Sequence, residues 1–541
     1  MRNSLAPGRT VRNWTEAIRT RLLEKRMVRR TRPKAGSESW VSLPWKKYRK
    51  ILFRLQKRVW KAVRANDRQR ARKLQKLILR SRSAQFLAVR QVTQLNQGRK
   101  TAGIDGKLAL KHHERFELVE RLAARGSTWQ HQPLRQIHIP KRDGTTRMLK
   151  VPTISDRAWQ CLVKYALEPA HEATFHSHSF GFRPGRGTWD AQRAIFYLLR
   201  GKYGLHKTIL ELDIEKCFDR IDHQALLRRV IAPQSIRGGL LKCLKAGTDA
   251  AFPNQGTPQG GVVSPLLANI ALNGVENIGS YCPQRHRKRA VKTCIRYADD
   301  MVVVLYPEQD PSAVLREIEE FLKERGLKVK ASKTHIVAAT DGFDFLGWNF
   351  KVRSDGKLVC IPSVDNFKAF RRKVKAIVNS SNYGAKLKAL KLAPLVRGWR
   401  NYHKYCDMSG SRLSLWGMQY RAFKRFNRQR SLNRYSAMAL KNEAFPTVGY
   451  KQFGHVKVKG DRSPFDGDVV YWSKRNSKLY DGPTAQQLRR QRHTCGQCQL
   501  AFVDGERIHL HHVDGNHNNW APKNLLAVHE SCHDYLHRGN G

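Results

Sequence analysis

Between runs of Lys and Arg, the first ninety residues carry apolar positions at three- and four-residue intervals. Leu52, Leu55, Val59 and Val63 form one such stripe, the spacing that puts side chains on one face of an amphipathic helix. Gly103-Ile104-Asp105-Gly106 breaks the pattern. From about 130 to 350 the texture is mixed. Strand-like runs at 137–140, 208–214 and 295–305 alternate with helical ones, and Pro- and Gly-rich turns punctuate them at 182–187 and 256–265. Beyond Pro362 the helical period returns and lasts to about 440. A Gly-, Asp- and Lys-rich stretch without sustained period follows, then a tail dense in Cys and His. The pattern predicts a multidomain α+β chain in five parts: a basic helical extension over 1–95, a mixed domain over 96–355, a helical domain over 356–440, a basic linker over 441–490 and a Cys/His domain over 491–541. At 541 residues the chain also exceeds what one core supports.

Composition changes this picture mainly through charge. Lys and Arg total 102 against 43 Asp and Glu, a formal net charge of +59, with dense basic stretches at 19–34, 46–82, 285–292 and 421–430. One basic run reads as a solvated helix face. A surplus spread over the whole length repels itself unless a polyanion screens it, and counterion release then gives tight, salt-sensitive binding to nucleic acid. A membrane surface is the other polyanion. However, no apolar run approaches the about 18 residues of a span, and the charged N-terminus has no apolar core of a secretory signal. The expected setting is a bacterial cytoplasm, in association with the nucleoid. The Arg-rich, acid-poor N-terminus also has the composition of an organelle transit peptide, which leaves an organelle open as well. Seven of ten Cys are scattered and read as buried thiols of a reducing compartment. Three crowd into the last fifty residues beside several His, which points to metal.

Two acidic sites carry chemistry. Tyr297-Ala298-Asp299-Asp300 lies between two apolar runs, which predicts a hairpin with carboxylates at its tip. Paired Asp is by itself an ordinary turn former. A second run, Ile209-Leu210-Glu211-Leu212-Asp213, is a strand ending on an acid. Two-metal phosphoryl transfer uses carboxylates from separate strands to hold cations about 3.5–4 Å apart. Asp213, Asp299 and Asp300 are therefore the candidate Mg²⁺ ligands and catalytic acids of a nucleotidyl-transfer centre.

From about 100 to 350 the chain resembles, block by block and in order, the reverse transcriptases encoded by group II introns. Tyr297-Ala298-Asp299-Asp300 matches the polymerase box, and Asp213 matches the first catalytic acid. Ile139-Pro140-Lys141-Arg142-Asp143-Gly144 through Arg147 looks like the fingers hairpin, and Ser179 to Arg186 like the next block. Gly256-Thr257-Pro258-Gln259-Gly260-Gly261 matches the block supporting template and nucleotide, and 326–333 with Phe345-Leu346-Gly347-Trp348 match the last palm block and primer grip. The resemblance implies a right-hand polymerase with fingers and an antiparallel palm sheet. It makes Lys141 and Arg147 contacts of the triphosphate, Phe218 the residue that favours dNTPs over ribonucleotides, and Gln259 part of the nucleotide site.

After the palm, Leu395 to Tyr405 interleaves aromatics with cations and resembles the maturase (X) domain of the same family, the thumb that assists intron folding. One reading of this run is an amphipathic helix with Trp399 and Tyr402 in the core. Arg397, Trp399, Arg400 and Tyr402 are its candidate nucleic-acid contacts.

In the tail, Cys495-Gly496-Gln497-Cys498 and His529-Glu530-Ser531-Cys532 are two closely spaced pairs that suit a tetrahedral structural Zn²⁺. A zinc ribbon alone leaves His511, His512, Asn524, His533 and His537 unexplained. The segment resembles the HNH nucleases, a ββα-metal fold. The resemblance makes His512 the general base, His511 a ligand of one divalent cation with His533 and His537 beside it, and Asn524 the residue that supports the loop. The resemblance implies Mg²⁺ as that cation, but His511 stands where many relatives have Asp, which leaves the preferred cation open, since His-rich sites tolerate softer metals.

Together these features imply a mobile-intron protein that polymerises DNA on RNA, assists splicing as a maturase, and cuts DNA to prime its own synthesis (retrohoming). Its implied partners are group II intron RNA, a double-stranded DNA target that 441–490 would help bind, and dNTPs; no membrane is implied. The oligomeric state is left open, a dimer included. A splicing-only maturase is the first rival, and intact Asp213, Asp299, Asp300 and His512 argue against it. Reverse transcriptases of other lineages generally lack the thumb run and the tail. A standalone homing endonuclease leaves most of the chain unexplained.

Overall fold

A computed structural model describes residues 40–108, 110–140, 146–247, 252–282, 291–429, 432–476, 480, 482–499, 502, 508–517 and 519–538. The basic stretch at 19–34, with the transit-like N-terminus, lies outside these residues. The chain divides into two units, 1–45 and 46–541. In the first, the described residues include a short turn, Trp40–Ser42, and the rings of Trp40 and Trp45 lie 5.2 Å apart.

In the second, the N-terminal period becomes the helices Trp45–Arg64, Arg68–Arg80 and Arg82–Arg90. Leu52, Leu55, Val59 and Val63 are buried as their spacing predicts, while Arg54, Arg58 and Lys61 face solvent. Asp67 caps the second helix, its carboxylate accepting from the Arg70 N–H at 2.8 Å. Gln75 then fastens that helix to the long helix Ile154–Glu172, donating to the Ala166 carbonyl at 3.2 Å.

Strands β1 (Arg135–Pro140) and β2 (Thr146–Val151) form the fingers hairpin. The palm is an antiparallel sheet of β3 (Thr208–Leu212), β4 (Cys294–Tyr297), β5 (Asp300–Leu305) and β6 (His335–Ala338), in the order β4-β5-β3-β6. Met301 to Leu305 are all buried. A strand covered on both faces has no solvent side to mark with polar residues, which is why the sequence reads there as an unbroken apolar run. A second antiparallel sheet follows: β7 (Phe343–Phe345), β8 (Trp348–Val352) and β9 (Leu358–Pro362). Its Phe343, Trp348 and Phe350 share one core with Ile209, Ile295, Val302 and Val304 of the palm and with helix Thr188–Leu199. Four helices, Val364–Asn379, Ala385–Tyr402, Trp416–Asn427 and Arg434–Ala444, close around a separate core of Phe370, Val374, Leu392, Val396 and Phe426.

Residues 446–476 depart from the linker expected over 441–490. They pack on helix Thr188–Leu199, gathered by the buried carboxylate of Asp190. That group accepts from the Val458 N–H at 2.8 Å and from Arg475 at 3.0 Å, and lies 3.2 Å from His455 Nε2. Burial alone raises the Asp190 carboxyl, but His455 and Arg475 beside it bring it net below its ordinary value. Arg193 donates to the Phe453 carbonyl at 2.7 Å and Arg186 to that of Gly460 at 2.8 Å. The segment lacks periodicity because palm side chains take up its backbone groups, a pairing that imposes no repeat on its sequence.

The tail runs from helix Gly482–Arg490 through β10 (Ile508–His512) and β11 (Leu525–His529) to helix Glu530–Arg538, a strand–strand–helix order. Among the described residues, no helix is long and apolar enough to cross a membrane.

Candidate functional site

Strand β3 ends at Leu212, so Asp213 emerges just beyond the sheet. Strands β4 and β5 are joined through Ala298 and Asp299, with Tyr297 paired to Asp300. Leu212 pairs with Met301, and one further step of that register sets Asp213 opposite Asp300. The three acids thus share one end of the palm sheet. Ala298 takes φ +60° to make the turn, a conformation that costs a non-glycine residue about 1–2 kcal/mol.

The crowding carries an electrostatic cost. Burial, then the charges of Asp299 and Asp213, push the Asp300 carboxyl up to about 6. Burial also raises Asp299, and Asp213 adds to it. Lys333 donates from Nζ to Asp213 Oδ2 at 2.7 Å, and that bond holds its ammonium above the ordinary value. Hard oxygen donors whose charges repel one another are a donor set that Mg²⁺ suits, so these residues fit the expected cations.

What holds the hairpin was not legible beforehand. The fully buried Arg296 donates from Nε to Glu276 Oε1 at 2.7 Å, from Nη1 to Asn269 Oδ1 at 2.9 Å and the Ala298 carbonyl at 3.0 Å, and from Nη2 to Ser179 Oγ at 2.8 Å. Burial pushes the Glu276 carboxyl up, yet Arg296 beside it brings it net below its ordinary value. Asn269 donates in turn to the Gly181 carbonyl at 2.8 Å. A Cβ on Gly181 would lie 2.4 Å from the Ala298 nitrogen, so only glycine lets that block back the hairpin. The available signal was an Arg inside an apolar strand, since a buried cation is rare without a partner.

The fingers meet this centre through Gln259. Arg147 on β2 donates to Gln259 Oε1, Lys150 donates its backbone N–H to the Gln259 carbonyl at 2.9 Å, and Gln259 Nε2 reaches Asp219 Oδ2 at 3.3 Å. Phe218 lies on the short helix Cys217–Arg220, its ring edge-on to the exposed Phe182 at 6.3 Å. Its carbonyl accepts from the Thr257 N–H at 2.6 Å. Lys141 lies outside the described residues.

The thumb follows the core reading for Trp399 and Tyr402 and turns Arg400 inward as well. Trp399 stacks on Phe370 at 4.4 Å and gives its indole N–H to Asn366 Oδ1 at 2.9 Å. The buried Arg400 donates to the Pro446 carbonyl at 2.9 Å. Tyr402 stacks on Trp348 at 4.8 Å, and its hydroxyl donates to the Leu346 carbonyl at 2.7 Å. These three side chains are taken up by the interior and by the junction with β8. Arg397 is exposed. A mixed run of aromatics and cations fits either role, and helix packing chose the inward face.

In the tail, the ligand atoms of Cys495, Cys498, His529 and Cys532 all lie within 4.8 Å of one another, with Cys498 Sγ 3.3 Å from His529 Nδ1. Tetrahedral zinc, with Zn–S about 2.3 Å and Zn–N about 2.0–2.1 Å, needs ligand atoms roughly 3.3–3.8 Å apart. The set fits Zn²⁺.

A second group forms from His511, His533 and His537, whose ligand atoms also lie within 4.8 Å of one another. His533 and His537, one turn apart, face each other through Nε2 atoms at 3.3 Å. An all-imidazole set suits zinc, nickel or copper better than magnesium. His512 follows His511 in β10, so its side chain leaves the opposite face of the strand. Its ring meets His517 at 5.0 Å and Trp520 at 5.3 Å. The expected base and the expected metal ligand His511 therefore leave opposite faces of β10, a consequence of strand alternation. Asn524 donates to Asp514 Oδ1 at 2.8 Å and accepts from the Asp514 N–H at 3.0 Å, closing the loop after His512.

Residues 139–350 match the family "Reverse transcriptase (RNA-dependent DNA polymerase)", residues 40–122 the "N-terminal domain of reverse transcriptase", and residues 367–439 the "Group II intron, maturase-specific domain". Maturase-like protein 1 of Euglena gracilis is 38% identical over 421 residues, covering 76% of this chain and 89% of that protein. Its counterpart in Euglena longa is 35% identical, covering 75% and 86%. The group II intron-encoded protein LtrA of Lactococcus lactis is 27% identical over 49% of this chain and 54% of its own length.

Proposed function

Since the chain belongs to the group II intron reverse transcriptase/maturase family, we propose that it copies RNA into DNA at Asp213, Asp299 and Asp300, assists the splicing of an intron RNA, and cuts a double-stranded DNA target to obtain its primer. The observation that carries this reading is the convergence of those three acids at one end of the palm sheet. Two Mg²⁺ bound there would activate the primer 3′-hydroxyl and balance the charge of the leaving pyrophosphate. Arg147, steadied by Gln259, and Lys141 would hold the triphosphate of an incoming dNTP. The Phe218 ring would crowd a ribose 2′-hydroxyl. Primer extension on an RNA template tests the polymerase. Asp299→Ala is expected to abolish incorporation with an unchanged circular-dichroism spectrum. A wild-type protein that promotes splicing yet never incorporates dNTPs would favour the splicing-only reading.

The nuclease rests on its own observation, the His511, His533 and His537 group, which a structural zinc does not require. We assign the cleavage cation to that group and keep His512 as the base. The assay is nicking of target DNA by the ribonucleoprotein. His537→Ala is expected to lose nicking while zinc content stays unchanged. Full nicking by His512→Ala would remove His512 from the mechanism.

A further inference from the structure

The thumb hides the aromatics that its sequence offers most openly and exposes others. In helix Trp416–Asn427, Trp416 is 69% exposed and Tyr420 is 44% exposed. Leaving two large aromatics in water forgoes the burial that normally places them inside. Their rings are nonetheless organised. One turn apart, they lie nearly parallel, at 4° with centroids 5.4 Å apart. Lys424, a further turn along, sits over the Tyr420 ring with Nζ 4.7 Å from its centroid. The i, i+4, i+8 spacing therefore builds a short ladder up one helix edge, with a cation at one end and the outer face of Trp416 open at the other. Arg421 and Arg425 are exposed on the same helix. By contrast, the opposite side of the helix buries Ala422 and Phe426 in the thumb core, so the ladder stands on a fixed support.

We propose that Trp416 and Tyr420 form a stacking platform for an unpaired nucleobase of single-stranded RNA, with Arg421, Lys424 and Arg425 on the flanking phosphates. Charge complementarity selects this occupant. An apolar partner surface gains nothing from three adjacent cations, whereas a nucleic-acid strand supplies both a π face and phosphates. A duplex has its bases already stacked on one another and engages only the cations. The platform rests on the RNA-binding reading above and adds its site.

The two kinds of contact respond differently to salt. Phosphate contacts weaken steeply as salt rises, while stacking does not. The experiment measures binding of the full chain to an unstructured 20-nucleotide RNA, to DNA of the same sequence and to duplex RNA, from low to high salt. The variants are Trp416→Ala/Tyr420→Ala, Trp416→Phe and Arg421→Gln/Lys424→Gln/Arg425→Gln. We expect the double alanine variant to bind the single-stranded RNA about tenfold more weakly with an unchanged salt slope, to bind duplex RNA as the wild type does, and Trp416→Phe to recover most of the loss. The cation variant should flatten the slope. Unstructured DNA losing as much as RNA assigns the base contact without sugar selectivity. Binding of single strands by the double alanine variant within twofold of the wild type overturns the platform, as does an equal loss on duplex RNA. Loss of self-association in that variant with RNA binding intact would assign the face to a second copy instead and also overturn it. Failure of the wild type to bind any RNA would instead defeat the RNA-binding reading itself.

Discussion

Arg296 spends each guanidinium nitrogen on a different part of the palm: Glu276, Asn269, Ser179 and the carbonyl of Ala298. It touches no expected substrate position, yet it fixes the residue next to Asp299. Removing one partner of a buried pair strands the other, at a cost of about 3–5 kcal/mol. Arg296→Ala should therefore show that loss in urea denaturation, together with reduced primer extension. Arg296→Met/Glu276→Leu should recover much of the stability and little of the activity. Equal recovery of both would mean that the hairpin needs packing alone. His403 is a second such residue. Its Nδ1 accepts from the Trp348 indole at 3.0 Å, and its Nε2 lies 3.1 Å from Asn366 Oδ1. Burial pushes its imidazole down to about 3. A folded value below the unfolded one contributes stability fully above the unfolded value of about 6.5, and that contribution is lost as pH falls towards the folded one. Stability should thus fall on acidification below about 6.5, by up to about 1.4 kcal/mol per pH unit for this group. Burial also holds His171 and His178 at about 3, so His403→Gln should reduce, not abolish, the slope in a pH series of denaturant midpoints. An unchanged slope would remove His403 as one of its sources.

At the scale of elements, the tail and the thumb obey different rules. Among the described residues, the tail's apolar cluster is small, comprising Cys495, Val528 and Cys532 with a few partly buried neighbours, so a metal bound there would supply cohesion that packing does not. Cys498→Ser, or a strong zinc chelator, should raise hydrogen exchange across β10, β11 and the last helix while the palm sheet keeps its protection. Loss of protection in both would show that the tail does not fold as a separate element. The thumb has its own apolar core, and chelation should leave it unaffected.

At the scale of the whole molecule, 446–476 tie the back of the palm to the thumb. Phe453 donates its backbone N–H to Tyr405 at 3.0 Å, and Asp190 anchors the rest. Asp190→Ala leaves Arg475 buried without its anion and removes the acceptor for Val458. It should expose 446–476 to limited proteolysis while the palm stays resistant. A cleavage pattern like that of the wild type would show that Arg193 and Arg186 suffice to hold the segment. The excess charge of +59 also makes association with polyanions strongly salt-dependent, which the binding experiments above must span.

The sequence alone determined the element types and the chemistry at their ends. Strict periodicity announced the N-terminal helices, and an unbroken apolar run announced the central strand. Acids at strand ends announced the carboxylates that meet at one end of the palm sheet, and Cys/His spacing announced that Cys495, Cys498, His529 and Cys532 come together. These signals are local, since a helix period, a turn or a ligand pair is written within a few residues. What needed the tertiary structure was every choice made by a partner far along the chain. Glu276 and Asn269 make Arg296 a support of the hairpin. Asp190 turns an aperiodic stretch into packed structure. The thumb core draws Trp399 and Tyr402 inward and leaves Trp416 and Tyr420 outside, and strand alternation parts His512 from His511. Side-chain type records what a residue can bind, but only long-range packing decides which of its candidate partners lies within reach.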